Sequence, residues 1–321
     1  MKLLKSSNQI SESLKECPPC HIAVAYLGLN WDNYINVKII KSIVLSPTVG
    51  TNPLAVASLV KAIGWDKVYF LPQLHSKIYL SEGQVILGSA NLSKNGLGDN
   101  EQYESGVSSS DPNLIIQTKE LYESYIKKSE QLYSSEDSKI EELRNLWDKH
   151  NIVRADGGDN DPKISRTFME YDPILHEQFY IIGYVEGDIV HTDNIPKIIT
   201  NKIVDEISLS PKDSIEVGKW VLCWKKNKNN TVNRVTNITW MYIHELYSNG
   251  CDEKGYEDVG IQREKMKLPD QPFVLKKGFK DKFTKIIEGG QYDEFRDSPH
   301  GEVNSSRFTE FIREIQDIFP K

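Results

Sequence analysis

His75-Ser76-Lys77 and, a few residues on, Gly88-Ser89-Ala90-Asn91 bring four polar side chains of complementary type into one short span. In a strand, residues two apart point to the same face, so His75 and Lys77 share a side. A turn at Glu82-Gly83 and a second strand from Gln84 to Leu87 return the chain, and Ser89 and Asn91 share a face in the same way. The expected result is four groups meeting at the end of an apolar sheet: a histidine that can attack or give up a proton, a fixed cation and two neutral hydrogen-bonding groups. This set suits a phosphodiester. Lysine, asparagine and serine can hold the non-bridging oxygens and the charge that builds on them in the transition state. Histidine can attack phosphorus once its proton is held away from the attacking nitrogen. No carboxylate cluster accompanies the four, as a metal would require, and no cofactor is expected.

The stretch 75–93 resembles the signature of the phospholipase D superfamily: His-x-Lys, four residues, Asp, about six residues, then Gly-Ser-x-Asn. His75, Lys77, Gly88, Ser89 and Asn91 match position by position. Glu82 stands where the family usually has Asp, and the gap to Gly88 is one residue shorter, which leaves the role of that position open. Gly-Ser-Ala-Asn-Leu-Ser, followed by Asn95-Gly96-Leu97, is most similar to the nuclease branch, as is Tyr103-Glu104-Ser105-Gly106-Val107. Either piece alone is ordinary, since a strand histidine is commonly structural and Gly-Ser-Ala-Asn could simply be a βα turn. Both in register are specific, and the resemblance covers roughly residues 20–150.

The resemblance implies a metal-free phosphodiesterase in which one histidine forms a phosphohistidine while a second protonates the leaving oxygen and then activates water. It also implies a glutamate that orients the histidine pair, with Glu104 the candidate and Glu101 the reserve. None of His21, His150, His176, His191, His244 and His300 is followed two residues later by lysine, so the chain carries one half-site. The expectation is a homodimer, two copies about a two-fold axis sharing one site. Some single-motif nucleases of this family are restriction endonucleases with a carboxy-terminal recognition domain, an analogy of layout only.

The elements that must position these residues read as a mixed α/β domain over 1–152, a phospholipase D-like mixed sheet flanked by helices. Strands are expected at 22–27, 42–46, 67–71, 76–80 and 84–88. Asn52-Pro53 looks like an N-cap and first-turn pair opening a helix through Ile63, and Asp111-Pro112 opens another with apolar spacing at Leu114, Thr118, Leu121, Tyr125 and Leu132. Ile140, Leu143 and Trp147 extend helical spacing. Residues 153–163, polar and glycine-bearing, are the expected linker.

Residues 164–321 change texture to an α+β domain, for which nucleic-acid recognition or regulation is the expected role. Strands are expected at 178–190, 217–224 and 232–246, with Asn227 to Asn230 a hairpin tip and helices at Phe279-Phe283-Ile286 and Phe308-Phe311-Ile315-Phe319. Lys219, Lys225, Lys226, Lys228 and Arg234 fall in a stretch without Asp or Glu, interleaved with Trp220, Trp224 and Trp240. Such a hairpin can offer cations to phosphates and rings to bases. The competing reading is core tryptophans on one strand face and solvated lysines on the other. Tyr256 to Gln262 lacks the lysine spacing and partner carboxylates of a metal nuclease.

Composition bounds the classes. Hydrophobic residues make up 39% of the 321-residue chain and charged residues 26%, enough for a core. A net charge of −7 disfavours coating nucleic acid by charge alone, although basic residues can be kept on one face. No apolar run reaches the eighteen or so residues of a membrane helix and the amino end lacks a secretory pattern, so a soluble, cytoplasmic protein without membrane contact is expected. Cys17-Pro18-Pro19-Cys20 has redox or half-zinc spacing, but isolated Cys223 and Cys251 supply no second pair, and an incidental turn is the expected reading. The leading function is a DNA endonuclease, restriction or phage-defence in type. The alternatives are a non-catalytic nucleic-acid or partner-binding module and a phospholipid-processing enzyme.

Overall fold

A computed structural model describes residues 1–98, 102–155, 165–264, 266–296 and 305–319. The described residues divide into two compact units, Met1–His150 and Asn151–Lys321.

The first unit runs β1 (Lys2–Leu4), α1 (Ser7–Glu16), β2 (His21–Val24), β3 (Ser42–Leu45), α2 (Pro53–Ile63), β4 (Val68–Phe70), β5 (Ile78–Leu80), β6 (Val85–Gly88), α3 (Lys94–Leu97), β7 (Gly106–Ser109), α4 (Pro112–Leu132) and α5 (Glu136–Ala155). Its seven strands form one mixed sheet in the order β1-β7-β6-β5-β2-β3-β4. Strands β2, β3 and β4 are parallel, while β5 is antiparallel to β2, β6 to β5, β7 to β6 and β1 to β7. Both faces are apolar because both are covered. On one, Ala23, Val44, Ile78, Leu80 and Val85 pack with Tyr122 of α4. The alternating residues Ile22, Ile43, Tyr79 and Ile86 are buried on the other.

Local signals set the helix starts. The Asn52 side chain accepts from the Leu54 N–H with Pro53 in the first turn, and Asp111 does the same for Asn113 ahead of α4. Periodicity does not reveal β1 or α1, because β1 has three residues and α1 buries only Ile10 and Leu14 as apolar anchors. Helix α5 continues to Ala155, so the first residues of the expected linker are helical, and 156–163 lie outside the described residues.

The second unit contains β8 (Tyr180–Tyr184), α6 (Lys197–Thr200), β9 (Ile203–Leu209), β10 (Trp220–Lys225), β11 (Thr239–Tyr242), β12 (Glu245–Tyr247), β13 (Asp258–Arg263), α7 (Phe279–Ile287) and α8 (Ser305–Asp317). They make two three-stranded sheets, β11-β10-β8 and β12-β13-β9. The stretch 178–190 contributes only β8, which pairs parallel to β10 instead of joining a hairpin, and β9 and β13 had no counterpart in the sequence reading. Ile182, Val221, Cys223 and Met241 pack with Ile207 and Leu209 of β9. Trp220, Leu222 and Trp224, on the other face of β10, join Phe283 of α7 and Phe311 of α8 in an aromatic core.

Candidate active site

The sheet topology delivers the motif to one edge of the first unit. Because β5 runs antiparallel to β2, the residues entering β5 lie beside those leaving β2. The end of β6 and the start of β7 return to that same edge. His75 and Lys77 precede β5, Ser89 and Asn91 follow β6, and Glu104 precedes β7. Five residues separated in sequence are therefore brought to the same end of three neighbouring strands. His75 and Lys77 are not inside a strand as expected but in the extended segment leading into one. The Gly88 N–H donates to the Lys77 carbonyl at 3.2 Å, which carries the β5–β6 register up to them.

Lys77 is buried, and its ammonium donates to the His75 carbonyl at 2.8 Å. It lies 3.4 Å from Nδ1 and 3.3 Å from Nε2 of the exposed His75 ring, almost equidistant, so it selects neither nitrogen. An ammonium has three donors, and the His75 carbonyl takes one. Burial lowers the Lys77 pKa from its ordinary value, and the Glu104 carboxylate partly restores it. Holding a cation here costs desolvation.

Ser89 is exposed, and its hydroxyl donates to a Glu104 carboxylate oxygen. The Ser105 N–H donates back to Ser89 Oγ at 3.1 Å, and the Ser89 N–H to the Ser105 carbonyl at 3.0 Å. Gly88 permits this closeness, since a Cβ there would sit 2.7 Å from the Ser105 carbonyl oxygen. Half-buried Asn91 accepts at Oδ1 from the Tyr26 N–H at 3.0 Å, which fixes the amide with its NH2 group as a donor. Beneath the turn, buried Tyr79 donates to the Ala90 carbonyl at 3.0 Å, and burial raises its pKa. Tyr26 and Tyr79 carried no signal in the motif, because their roles depend on strands that become neighbours only on folding.

Glu82 is not part of this cluster. It sits in the β5–β6 turn, at the opposite end of the hairpin from His75 and Ser89, exposed and paired with Lys41 at 3.3 Å. Glu101 lies outside the described residues. Within one chain Glu104 meets Ser89 rather than His75.

The basic segment of the second unit looks different once folded. Trp220 and Trp224 are fully buried, and Trp240, partly buried, donates from Nε1 to the Phe273 carbonyl at 3.0 Å, so these rings are core. Lys225 pairs with Glu186, and Arg234 with Glu288 at 2.6 Å. Lys226 lies over the Trp224 ring at 5.8 Å. Lys219 is half-buried beside a cavity of about 240 Å3, and Lys228 is exposed in the turn where the Asn227 N–H donates to the Thr231 carbonyl at 2.8 Å. Local sequence counted five cations without a carboxylate, but Glu186 and Glu288 arrive from elsewhere in the chain. Residues 258–263 are strand β13, with Val259 and Ile261 buried. Cys17 Sγ lies 2.9 Å from Ser81 Oγ and Cys20 is buried against the Leu80 carbonyl, both thiols free. Among the described residues no His, Cys, Asp and Glu group is arranged to hold a metal ion, and no helix is long and apolar enough to cross a membrane.

No family model and no curated protein matches the chain. Among solved structures, NucT from Helicobacter pylori is 19% identical over 40% of this chain and 95% of its own, with a TM-score of 0.32. Nuc from Salmonella typhimurium, a phospholipase D family member, is 14% identical over 39% of this chain and 93% of its own, with a TM-score of 0.31. The archaeal chromatin protein TrmBL2 is 20% identical over 40% of this chain and 52% of its own, with a TM-score of 0.29. Likeness at this level carries no argument about activity, which rests on the residues.

Proposed function

We propose that the chain is a metal-independent phosphodiesterase, a DNA endonuclease of restriction or phage-defence type, whose site is completed by a second copy of itself. The observation that supports this reading is the convergence of His75, Lys77, Ser89, Asn91 and Glu104 on one edge of the sheet, with the imidazole open to solvent and an ammonium against it.

Lys77 and the Asn91 amide hydrogen-bond the non-bridging oxygens, and Ser89 supports them through Glu104. His75 of one subunit attacks phosphorus in line, forming an N–P bond as the P–O bond to the leaving strand breaks. His75 of the other subunit gives its proton to the departing oxygen. That second imidazole then takes a proton from water, which attacks the phosphohistidine and restores the first imidazole. We assign Glu104 the orienting role for the histidines. Two histidines are needed and each chain brings one in the His-x-Lys setting, so an isologous dimer supplies the pair. In the second unit we assign backbone contact first to exposed Lys228, since Lys225 and Arg234 are already engaged by carboxylates.

The test is cleavage of labelled plasmid, single-stranded DNA, RNA and a chromogenic phosphodiester in EDTA, with His75→Ala in parallel and the mass in solution measured by sedimentation. Cleavage lost in the variant and a dimeric mass are expected. A clean wild-type dimer that cuts nothing, or a His75→Ala variant that cuts as well as wild type, overturns the assignment. A fully active monomer overturns the shared site.

A further inference from the structure

The segment leaving β2, Ala25-Tyr26-Leu27, is held from several directions. The Ser46 N–H donates to the Ala25 carbonyl at 3.2 Å, and the Asn52 N–H to the Leu27 carbonyl at 2.8 Å. Thr51, fully buried, accepts from the Leu27 N–H at 3.4 Å and donates to the Ser46 carbonyl at 2.7 Å. Leu27 bridges Leu92 in parallel, and the Gly28 N–H donates to the Leu92 carbonyl at 3.0 Å. A backbone fixed at this many points has little freedom to move with a ligand.

From this segment Tyr26 reaches both halves of the site. Its N–H holds the Asn91 amide. Its ring stands edge-on to the His75 imidazole, with centroids 6.5 Å apart and planes at 80°, an arrangement the ring quadrupoles favour. The ring is backed by Gly50, where a Cβ would lie 2.6 to 2.9 Å from Cδ1, Cε1 and Cγ of Tyr26. Tyr26 is thus confined between a bare backbone on one side and the imidazole on the other.

We infer that Tyr26 is a positioning residue: its ring restricts rotation of the exposed His75 imidazole and keeps one nitrogen directed at phosphorus, while its backbone sets Asn91 independently of the side chain. This rests on the phosphodiesterase reading. The two functions are separable, because a substitution of the ring leaves the N–H in place. A well-oriented attacking group accounts for large rate factors, and a modest loss of orientation costs about tenfold or more in turnover.

The experiment measures kcat and KM on the chromogenic phosphodiester for Tyr26→Leu, Tyr26→Phe and Gly50→Ala, with thermal unfolding, and follows the His75 ring proton signals by NMR in the absence of substrate. Tyr26→Leu should lower kcat about tenfold, leave KM within twofold and broaden or shift the His75 signals, with unfolding close to wild type. Tyr26→Phe should restore turnover, since the ring and not its hydroxyl makes the contact. Gly50→Ala, which pushes the ring from behind, should reproduce the kcat loss. A folded Tyr26→Leu variant with wild-type kcat and unchanged His75 signals overturns the inference. So does a loss confined to KM, or a loss that Tyr26→Phe fails to restore. The His75→Ala arm keeps the premises apart: if that variant is fully active, the phosphodiesterase reading has failed, and the NMR result alone then judges the ring contact.

Discussion

Gly96→Ala tests whether the turn that carries Asn91 depends on bare backbone contact. Gly96 lies in α3, and an added Cβ would come 2.4 Å from the Asn91 carbonyl oxygen and 2.7 Å from its nitrogen. Both obstacles are main chain, so no side chain can swing aside. Ordinary contact begins near 3.4 Å, so Asn91 or the whole of α3 must move by about 1 Å. Overpacking of this kind costs about 1–3 kcal/mol, and at about 2–4 °C per kcal/mol for a domain of this size the midpoint falls by several degrees. If Asn91 holds the reacting phosphate as proposed, a displacement of about 1 Å there reduces turnover by about 100-fold. Gly83→Ala is the control, because nothing lies within 4 Å of a Cβ built there, and it should leave melting and turnover unchanged. The assays are thermal unfolding by circular dichroism and steady-state hydrolysis of a chromogenic phosphodiester. A Gly96→Ala protein that melts like wild type and turns over at the wild-type rate would refute the reasoning.

Two further outcomes follow from buried charges. Lys77→Met keeps the aliphatic stem and removes a cation whose pKa burial depresses, so it should abolish cleavage while leaving stability equal or higher at neutral pH. The sign follows from linkage: between the lowered native pKa and the ordinary lysine value the unfolded chain binds more protons, wild-type stability rises with pH, and the advantage of Lys77→Met should shrink there. Denaturant titrations at neutral and alkaline pH check this, and an advantage that grows with pH would contradict it. In the second unit Arg166 lies 3.5 Å from Glu177, both buried, and donates to the Pro272 carbonyl at 2.8 Å. Burial raises the Glu177 pKa and Arg166 opposes that shift. Arg166→Ala leaves the carboxylate without its cation and should destabilise the unit by about 3–5 kcal/mol, read as a lower denaturant midpoint. The loss should be larger at neutral pH than near pH 5, where the carboxyl can protonate; a pH-independent loss would argue against the buried-pair account.

Local chemistry was legible in the sequence. The Asn52-Pro53 and Asp111-Pro112 starts of α2 and α4 are fixed by side chains that cap their own backbone, and the residue types at positions 75, 77, 89 and 91 supply an imidazole, a cation and two neutral hydrogen-bonding groups. Their spacing implied a hairpin, and β5 and β6 form one. Everything that depends on which distant segments become neighbours was decided by folding. Glu82, adjacent to the motif in sequence, is carried to the far end of the hairpin, while Glu104 and Tyr26 are brought in by β7 and β2. The tryptophans that alternate with lysines turn inward because β10 has helices α7 and α8 to pack against. Glu186 and Glu288 neutralise cations that had no local partner. A strand fixes which residues share a face, but hydrogen-bonded pairing and burial choose what lies opposite that face, and those are properties of the whole chain.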